Sequence, residues 1–382
     1  MVLNNYGMKK FLGSNTGKGF RGFYGDLLYG SGYCDDNQSV YILKGGPGTG
    51  KSTFIKKVVK MLEKSDCDTE LLLCSGDVNS LDGVVSKTGG LIVVDGTAPH
   101  GIEPVCAGVH ENIVNLGVFW NKDILRNYSG QIEELFAKKK LMYKKAYRYL
   151  SAAFEIYKER ADIIERFVDQ RKMKIFAESF ADELIPEKDD AMSCGIMRRA
   201  FATAVTAEGV FGRLPYSEKN GDDDYRVYCI SSKLGISCSV ILETLAEKAV
   251  LSGYDTDLYY CGFDADKLEH IVVPELGIAV VSSNEYHALE TLNAEYEIFA
   301  EGFLKENVTV SREKCMNCDI GYAKIRFDEL AERAFRALGK ASEYHHAMED
   351  YYIEAMDFSS LNDYTYSVLD EMSKVIYRNI IG

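Results

Sequence analysis

A short apolar run that breaks into glycine, then resumes at helical spacing, is the clearest pattern in the chain. Val40-Tyr41-Ile42-Leu43 is β-rich and apolar throughout, which predicts a buried parallel strand. Phe54, Ile55, Val58, Val59, Met61 and Leu62 then form one face of a helix, with Lys56, Lys57, Lys60 and Glu63 opposite. A second apolar run, Leu91-Ile92-Val93-Val94, predicts another buried strand and ends in Asp95. Further along the period changes. From Tyr143, the positions Tyr147, Leu150, Phe154, Tyr157, Ala161, Ile164 and Val168 alternate by four and three, a heptad seam. The seam returns at Leu330, Ala334, Ala337, Ala341, Tyr344, Met348, Tyr351 and Ala355. Such stripes are packing surfaces, and they predict helical arms over about 123–180 and about 327–357. The arms are expected to pack on each other, across a homo-oligomer or on a protein partner.

The chain also matches itself. Val40-Tyr41 aligns with Val227-Tyr228, and the register holds without a gap to His100 and His287. Sixteen of sixty-one positions are identical over that stretch, against about 6% expected from average composition. Upstream, Phe11, Thr16, Gly19 and Gly22 line up with Phe201, Thr206, Gly209 and Gly212; downstream, Ala146 to Leu150 resembles Ala334 to Leu338. The expected fold is therefore α/β: a tandem duplication of a parallel-sheet domain, each copy with a long helical arm. The halves are placed at 1–188 and 189–382, with Ile185 to Asp190 as the boundary. Leu28 to Gln38 and Pro215 to Asp224 read as loops before the two first strands.

Composition narrows the function. A net charge of −14 argues against nucleic acid, since a phosphate backbone would be repelled. The basic run Lys138-Lys139-Lys140, within a helical pattern, reads as a solvated face. No apolar run reaches the length of a membrane span, and Met1 to Phe11 lacks the layout of a signal peptide. With ten cysteines, this points to reduced thiols in the cytoplasm. Cys315 and Cys318 form a lone CxxC without a second pair, so no metal role is expected there.

The chemistry lies between the first strand and helix. Gly45-Gly46-Pro47-Gly48-Thr49-Gly50-Lys51-Ser52 fits GxxxxGK[ST]. Its glycines let backbone N–H groups approach phosphate oxygens, and the helix start adds partial positive charge. Lys51 is expected to reach the β- and γ-phosphates of ATP, and Ser52 to ligate Mg²⁺ with Asp95 as the second metal-side group. Thr53 reads as a hydroxyl at the helix start. Asn121-Lys122-Asp123 places its aspartate one residue early for guanine recognition, so adenine is favoured.

In the second half the loop reads Ser232 to Ser239, with Cys238 in place of Lys51 and Ser282 in place of Asp95. Each copy is thus expected to be a P-loop NTPase-like domain, the second one degenerate and silent toward nucleotide. The same comparison weighs Asp77, His100 and Asp82. Asp77 would position water or simply cap a turn, since Asp264 persists in the silent copy. His100 would sense the γ-phosphate or satisfy a turn, as His287 also persists, and Asp82 keeps its charge as Glu269.

The stretch Phe11 to Phe20, the loop, Cys74-Ser75-Gly76-Asp77 with Ser80 to Val84, Asp95 to His100, and Asn115-Leu116-Gly117 resemble a duplicated family of bacterial P-loop ATPases common in clostridia and bacilli. The resemblance covers most of the first half strongly and the second half loosely. It implies ATP binding and hydrolysis. Three functions follow as alternatives: a Mg-dependent ATPase, a small-molecule or nucleotide kinase, and a non-enzymatic ATP sensor. Gly96 stands where motor ATPases often carry a glutamate; Arg21, Arg126 and Arg148 are the arginines a kinase lid would draw on.

Overall fold

Apolar runs bounded by glycine and polar turns become strands, and the long amphipathic stretches become helices. The computed structural model describes residues 8–29, 38–188, 193–212, 225–286, 294–306 and 310–381, without the side chains of Tyr29 and of 310–316. In chain order the elements are β1 (Lys9–Phe11), β2 (Gly13–Thr16), β3 (Gly19–Gly22), α1 (Tyr24–Tyr29), β4 (Ser39–Lys44), α2 (Lys51–Lys64), β5 (Glu70–Leu73), β6 (Leu81–Ser86), β7 (Leu91–Asp95) and β8 (Glu111–Asn115). Then come α3 (Lys122–Asn127), α4 (Ser129–Glu165), α5 (Gln170–Leu184), β9 (Met197–Phe201), β10 (Thr203–Thr206), β11 (Gly209–Gly212), β12 (Arg226–Ser232) and α6 (Ser239–Leu251). The chain continues through β13 (Thr256–Tyr260), β14 (Leu268–Val273), β15 (Ile278–Asn284), β16 (Tyr296–Phe299), α7 (Val310–Glu354) and α8 (Phe358–Ile381).

The compact units do not follow the division at 188/189. The first comprises 1–13, 22–146 and 336–382; the second comprises 14–21 and 147–335. The reason is which helix covers which core. In the first unit α8 packs on α2, and Lys57 donates to Asn362 Oδ1 (3.1 Å). In the second, α5 packs on α6. Both covering helices carry a helical apolar stripe: Leu361, Thr365, Val368, Met372 and Ile376 on α8, and Met173, Ala177, Phe180, Ala181 and Leu184 on α5. The second arm is longer than expected, since α7 starts at Val310 and α8 follows it.

The sheet of the first unit runs β1-β5-β6-β7-β4-β8. β1 pairs parallel with β5, and β4 pairs parallel with both β7 and β8. β6 is antiparallel to both neighbours, so the sheets are mostly rather than wholly parallel. The departure has a local cause. Only Lys87–Gly90 separates β6 from β7, closed by Gly90 N–H donating to Lys87 O (3.1 Å), and so short a link joins only antiparallel strands. The second unit runs β9-β13-β14-β15-β12-β16, the same order counted from its own first strand, with β14 again antiparallel.

β4 and β7 are buried along almost their whole length, as continuous apolar runs require. α2 buries Phe54, Ile55, Val58, Val59 and Leu62, with Met61 half-buried; each such side chain contributes roughly 1.5–3 kcal/mol. Among the described residues no helix is long and apolar enough to cross a membrane.

Met372 is fully buried on α8, so Met372→Ala should cost about 2–5 kcal/mol. Hydrogen–deuterium exchange should then rise in α2 and β4, far away in sequence, and not in α6.

Candidate functional site

β4 ends at Lys44 and α2 begins at Lys51, with the glycine loop between them. Gly48 (φ 68°) and Gly50 (φ 79°) are left-handed, a conformation side chains resist. Gly50 precedes α2, and no side-chain hydrogen bond caps the helix. The start of α2 is therefore electropositive. Thr49 is buried and donates its hydroxyl to Gly46 O (2.9 Å). Lys51 Nζ donates to Gly45 O (2.9 Å) and Gly46 O (3.0 Å) and lies 3.7 Å from Asp95 Oδ2. Register accounts for that last contact: Asp95 ends β7 opposite Leu43 of β4. The other oxygen of Asp95 accepts from the amide (2.8 Å) and hydroxyl (2.5 Å) of Thr97. Ser52 Oγ accepts from Leu81 N–H (3.3 Å), and Thr53 is exposed on the first turn of α2.

Beside Asp95 lies a buried polar link. His100 Nε2 is 3.2 Å from Asp82 Oδ2, and its Nδ1 is 3.2 Å from Asp95 O. Both partners are acceptors, an arrangement that favours the form in which both ring nitrogens donate. Burial opposes that charge, but Asp82 and Asp95 outweigh it and raise the pKa. Tyr24 OH also donates to Asp82 (3.0 Å). Asp77 is used within its own turn: its carboxylate accepts from Asn79 N–H (3.0 Å) and Ser80 Oγ (2.6 Å). The glycine after Asp95 is a matter of space. A Cβ on Gly96 would sit 2.4 Å from Ile42 Cγ2 and 3.2 Å from Ile102 O, leaving no room for a glutamate. His287 lies outside the described residues.

Three groups that sequence patterns did not single out also face this loop. Glu349 of α7 accepts from Gly48 N–H (3.2 Å). His345, one turn earlier, has Nε2 3.8 Å from the same carboxylate oxygen. Lys139 of α4 donates to His345 Nδ1 (3.1 Å). Lys138 and Lys140 are exposed as expected of the basic run, but Lys139 is half-buried. Burial, with Lys51 adding repulsion against the pull of Glu349, lowers its pKa. Burial and the neighbouring Lys139, His346 and Lys51 hold His345 down at about 4, so it is neutral. Arg21 and Arg148 are exposed, and Arg126 pairs with Asp123 on the surface of α3 (2.8 Å). Asn121 caps that helix, accepting from Asp123 N–H (3.1 Å) and Ile124 N–H (3.3 Å).

In the second unit the corresponding loop is satisfied from within. Glu301 Oε1 accepts from Ser232 Oγ (3.0 Å) and Leu234 N–H (3.1 Å). Arg160 donates to Leu234 O (2.9 Å), pairs with Glu285, and lies against Gly235, where a Cβ would come 2.6 Å from its Nη1. Ser282 Oγ donates to Glu269 Oε2 (2.6 Å), and Glu269 Oε1 pairs with Lys267 (2.8 Å). Cys238 is buried, which pushes its thiol up to about 12. It offers no charge. Cys318 is a free, exposed thiol, and the side chain of Cys315 lies outside the described residues.

The raised pKa of His100 has a pH signature. Its ion pair with Asp82 contributes stability that is complete below the ordinary value of 6.5 and is lost as pH rises through the shifted one. His100→Gln should cost about 1.5–3 kcal/mol at pH ~6. Urea midpoints of the two proteins should draw together as pH rises through the raised pKa of His100.

No family model, no curated protein and no solved structure matches the chain.

Proposed function

We propose that the chain binds Mg-ATP on Gly45 to Ser52 and hydrolyses its terminal phosphate, and that its second half is a nucleotide-silent duplicate of the first. The observation that carries this reading is the Lys51 ammonium 3.7 Å from Asp95, above a glycine loop and at the ends of two adjacent parallel strands. A cation beside a glycine loop at a helix start is suited to an anion, and a strand–loop–helix of this kind suits a phosphate tail. Support for duplication comes from the shared strand order together with the gapless sequence match. Lysine and aspartate are replaced together in the second copy, as Cys238 and Ser282, which is what a lost phosphate and metal site would leave.

The residues present fit magnesium as well as phosphate. Ser52 and Asp95 offer hard oxygen donors, and magnesium is commonly held by one or two carboxylates plus substrate phosphates rather than by a protein cage. When bound there, the ion would offset charge developing on the phosphate oxygens. Lys51 leaves the carbonyls of Gly45 and Gly46 to pair with the β- and γ-phosphates. Asp95, oriented by Thr97, keeps one oxygen on the Lys51 side. Both ring nitrogens of His100 are engaged, with Asp82 and with Asp95 O, so it positions the Asp95 end of β7 rather than acting as a general base. Asp77 is tied into its turn, and Gly96 excludes a carboxylate beside Asp95. With no dedicated base at these positions, turnover should be slow.

Titration calorimetry with Mg-ATP tests the reading. Lys51→Ala should abolish binding, and Cys238→Ala should leave it intact; equal loss in both would overturn the silent-copy assignment. Phosphate should also be released slowly without any acceptor. Transfer of γ-label to an added metabolite, with no free phosphate, would replace hydrolysis by kinase chemistry.

A further inference from the structure

The loop is not lined by the β4–α2 segment alone. Glu349 places a carboxylate on the Gly48 amide, the kind of donor a phosphate oxygen would use. Lys139 and His345 stand behind it, linked to each other at 3.1 Å. Both feel the charge of Lys51, which marks the β,γ end of a phosphate tail. The same helix approaches the loop at two further points. A Cβ on Gly48 would meet Ile353 (3.0 Å) and the Glu349 carbonyl (3.1 Å), and one on Gly46 would meet Trp120 (3.0 Å) and Tyr352 (3.8 Å), whose ring centroids are 5.4 Å apart.

We propose that α7 and α4 form a second wall of the phosphate site, in which Glu349 holds the place of a terminal phosphate while Lys139 and His345 make the site select a nucleoside triphosphate over a diphosphate. This rests on the ATP-binding reading above and adds its specificity. Any nucleotide entering the loop has to displace Glu349 or sit beside it, and like charges at that range repel. Only a ligand with a third phosphate returns an anion to Lys139, whose own partner at present is a neutral imidazole. His345 accepts from Lys139, so its remaining N–H faces the carboxylate side and donates to whichever anion stands there. A diphosphate meets the repulsion without the return. In the second unit, the offset that aligns Ala146 with Ala334 puts Phe327, Tyr157 and Ala161 at the positions of Lys139, His345 and Glu349, an uncharged set.

The test measures affinities for ADP and for the non-hydrolysable β,γ-imido analogue of ATP, each with magnesium, by calorimetry. Emission of Trp120, the single tryptophan, reports on the wall. Glu349→Gln keeps the shape and removes the charge, and should tighten ADP about tenfold and the analogue less. Lys139→Met should weaken the analogue about tenfold and ADP by less than about threefold, with Lys139→Arg restoring the preference. The analogue should shift Trp120 emission in the wild type more than ADP does. An unchanged ratio of the two affinities in both variants would overturn the second wall. If instead Lys51→Ala binds both ligands as well as the wild type does, the ATP-binding reading itself fails, a result that no outcome at Glu349 or Lys139 can mimic.

Discussion

The distance between one ammonium and one carboxylate governs the rest of the first unit. Lys51 and Asp95 belong to different elements, yet neither side chain sets their separation. It is set by the pairing of β4 with β7, which brings Leu43 opposite Asp95, and by the tight loop that turns β4 into α2. A slip of one residue in that pairing would turn Asp95 to the other face of the sheet. The apolar runs on both strands therefore act on the site through register: burial of Val40 to Leu43 and Leu91 to Val94 holds it. Lys44, at the end of β4, adds a tether by donating to Gly96 O (3.1 Å) and Ile102 O (2.6 Å), which fixes the loop after Asp95.

The second unit meets the same electrostatic problem differently. A strand-end carboxylate and a loop with spare amides are costly unless something neutralises them. In the first unit Lys51 lies beside Asp95, His100 beside Asp82, and Glu349 on the Gly48 amide. In the second, Lys267 with Glu269 and Arg160 with Glu285 complete the charges internally, and Glu301 takes the loop donors. Arg160 Nε stays without a partner in its buried position, so the closure is incomplete. Buried pairs of this kind add little net stability over apolar packing, though losing one member is costly.

Much of the site was legible because its signals are local. The Val40–Leu43 run, the glycine loop and the amphipathic 54–62 face appear as β4, the loop and α2, and the Leu91–Val94 run appears as β7 ending in Asp95. Asp77 capping its own turn was also within reach, since its partners are two and three residues away. What escaped was tertiary. Lys139 looks like its exposed neighbours in a basic run, and only the approach of α7 separates it from Lys138 and Lys140. Glu349 and His345 sit on a heptad helix with ordinary polar spacing, some three hundred residues from the loop they face. The antiparallel β6 was missed because an apolar strand shows its period and not its direction. The compact units cross 188/189 for a related reason: sequence similarity marks which segments repeat, and burial decides which core a helix joins.

The packing of α8 on α2 has a consequence for synthesis. Ribosomes release the chain from its N-terminus, and domains generally fold as they emerge. Here the helix beginning at Lys51 waits for Leu361 and Met372 before its surroundings are complete. Through most of translation, the nascent first half carries an apolar face with no cover, a state open to holdase chaperones and to association between neighbouring nascent chains. A premature stop beyond residue 188 would leave every element of the glycine cradle present and its roof absent, so such a fragment is a poor stand-in for the whole protein.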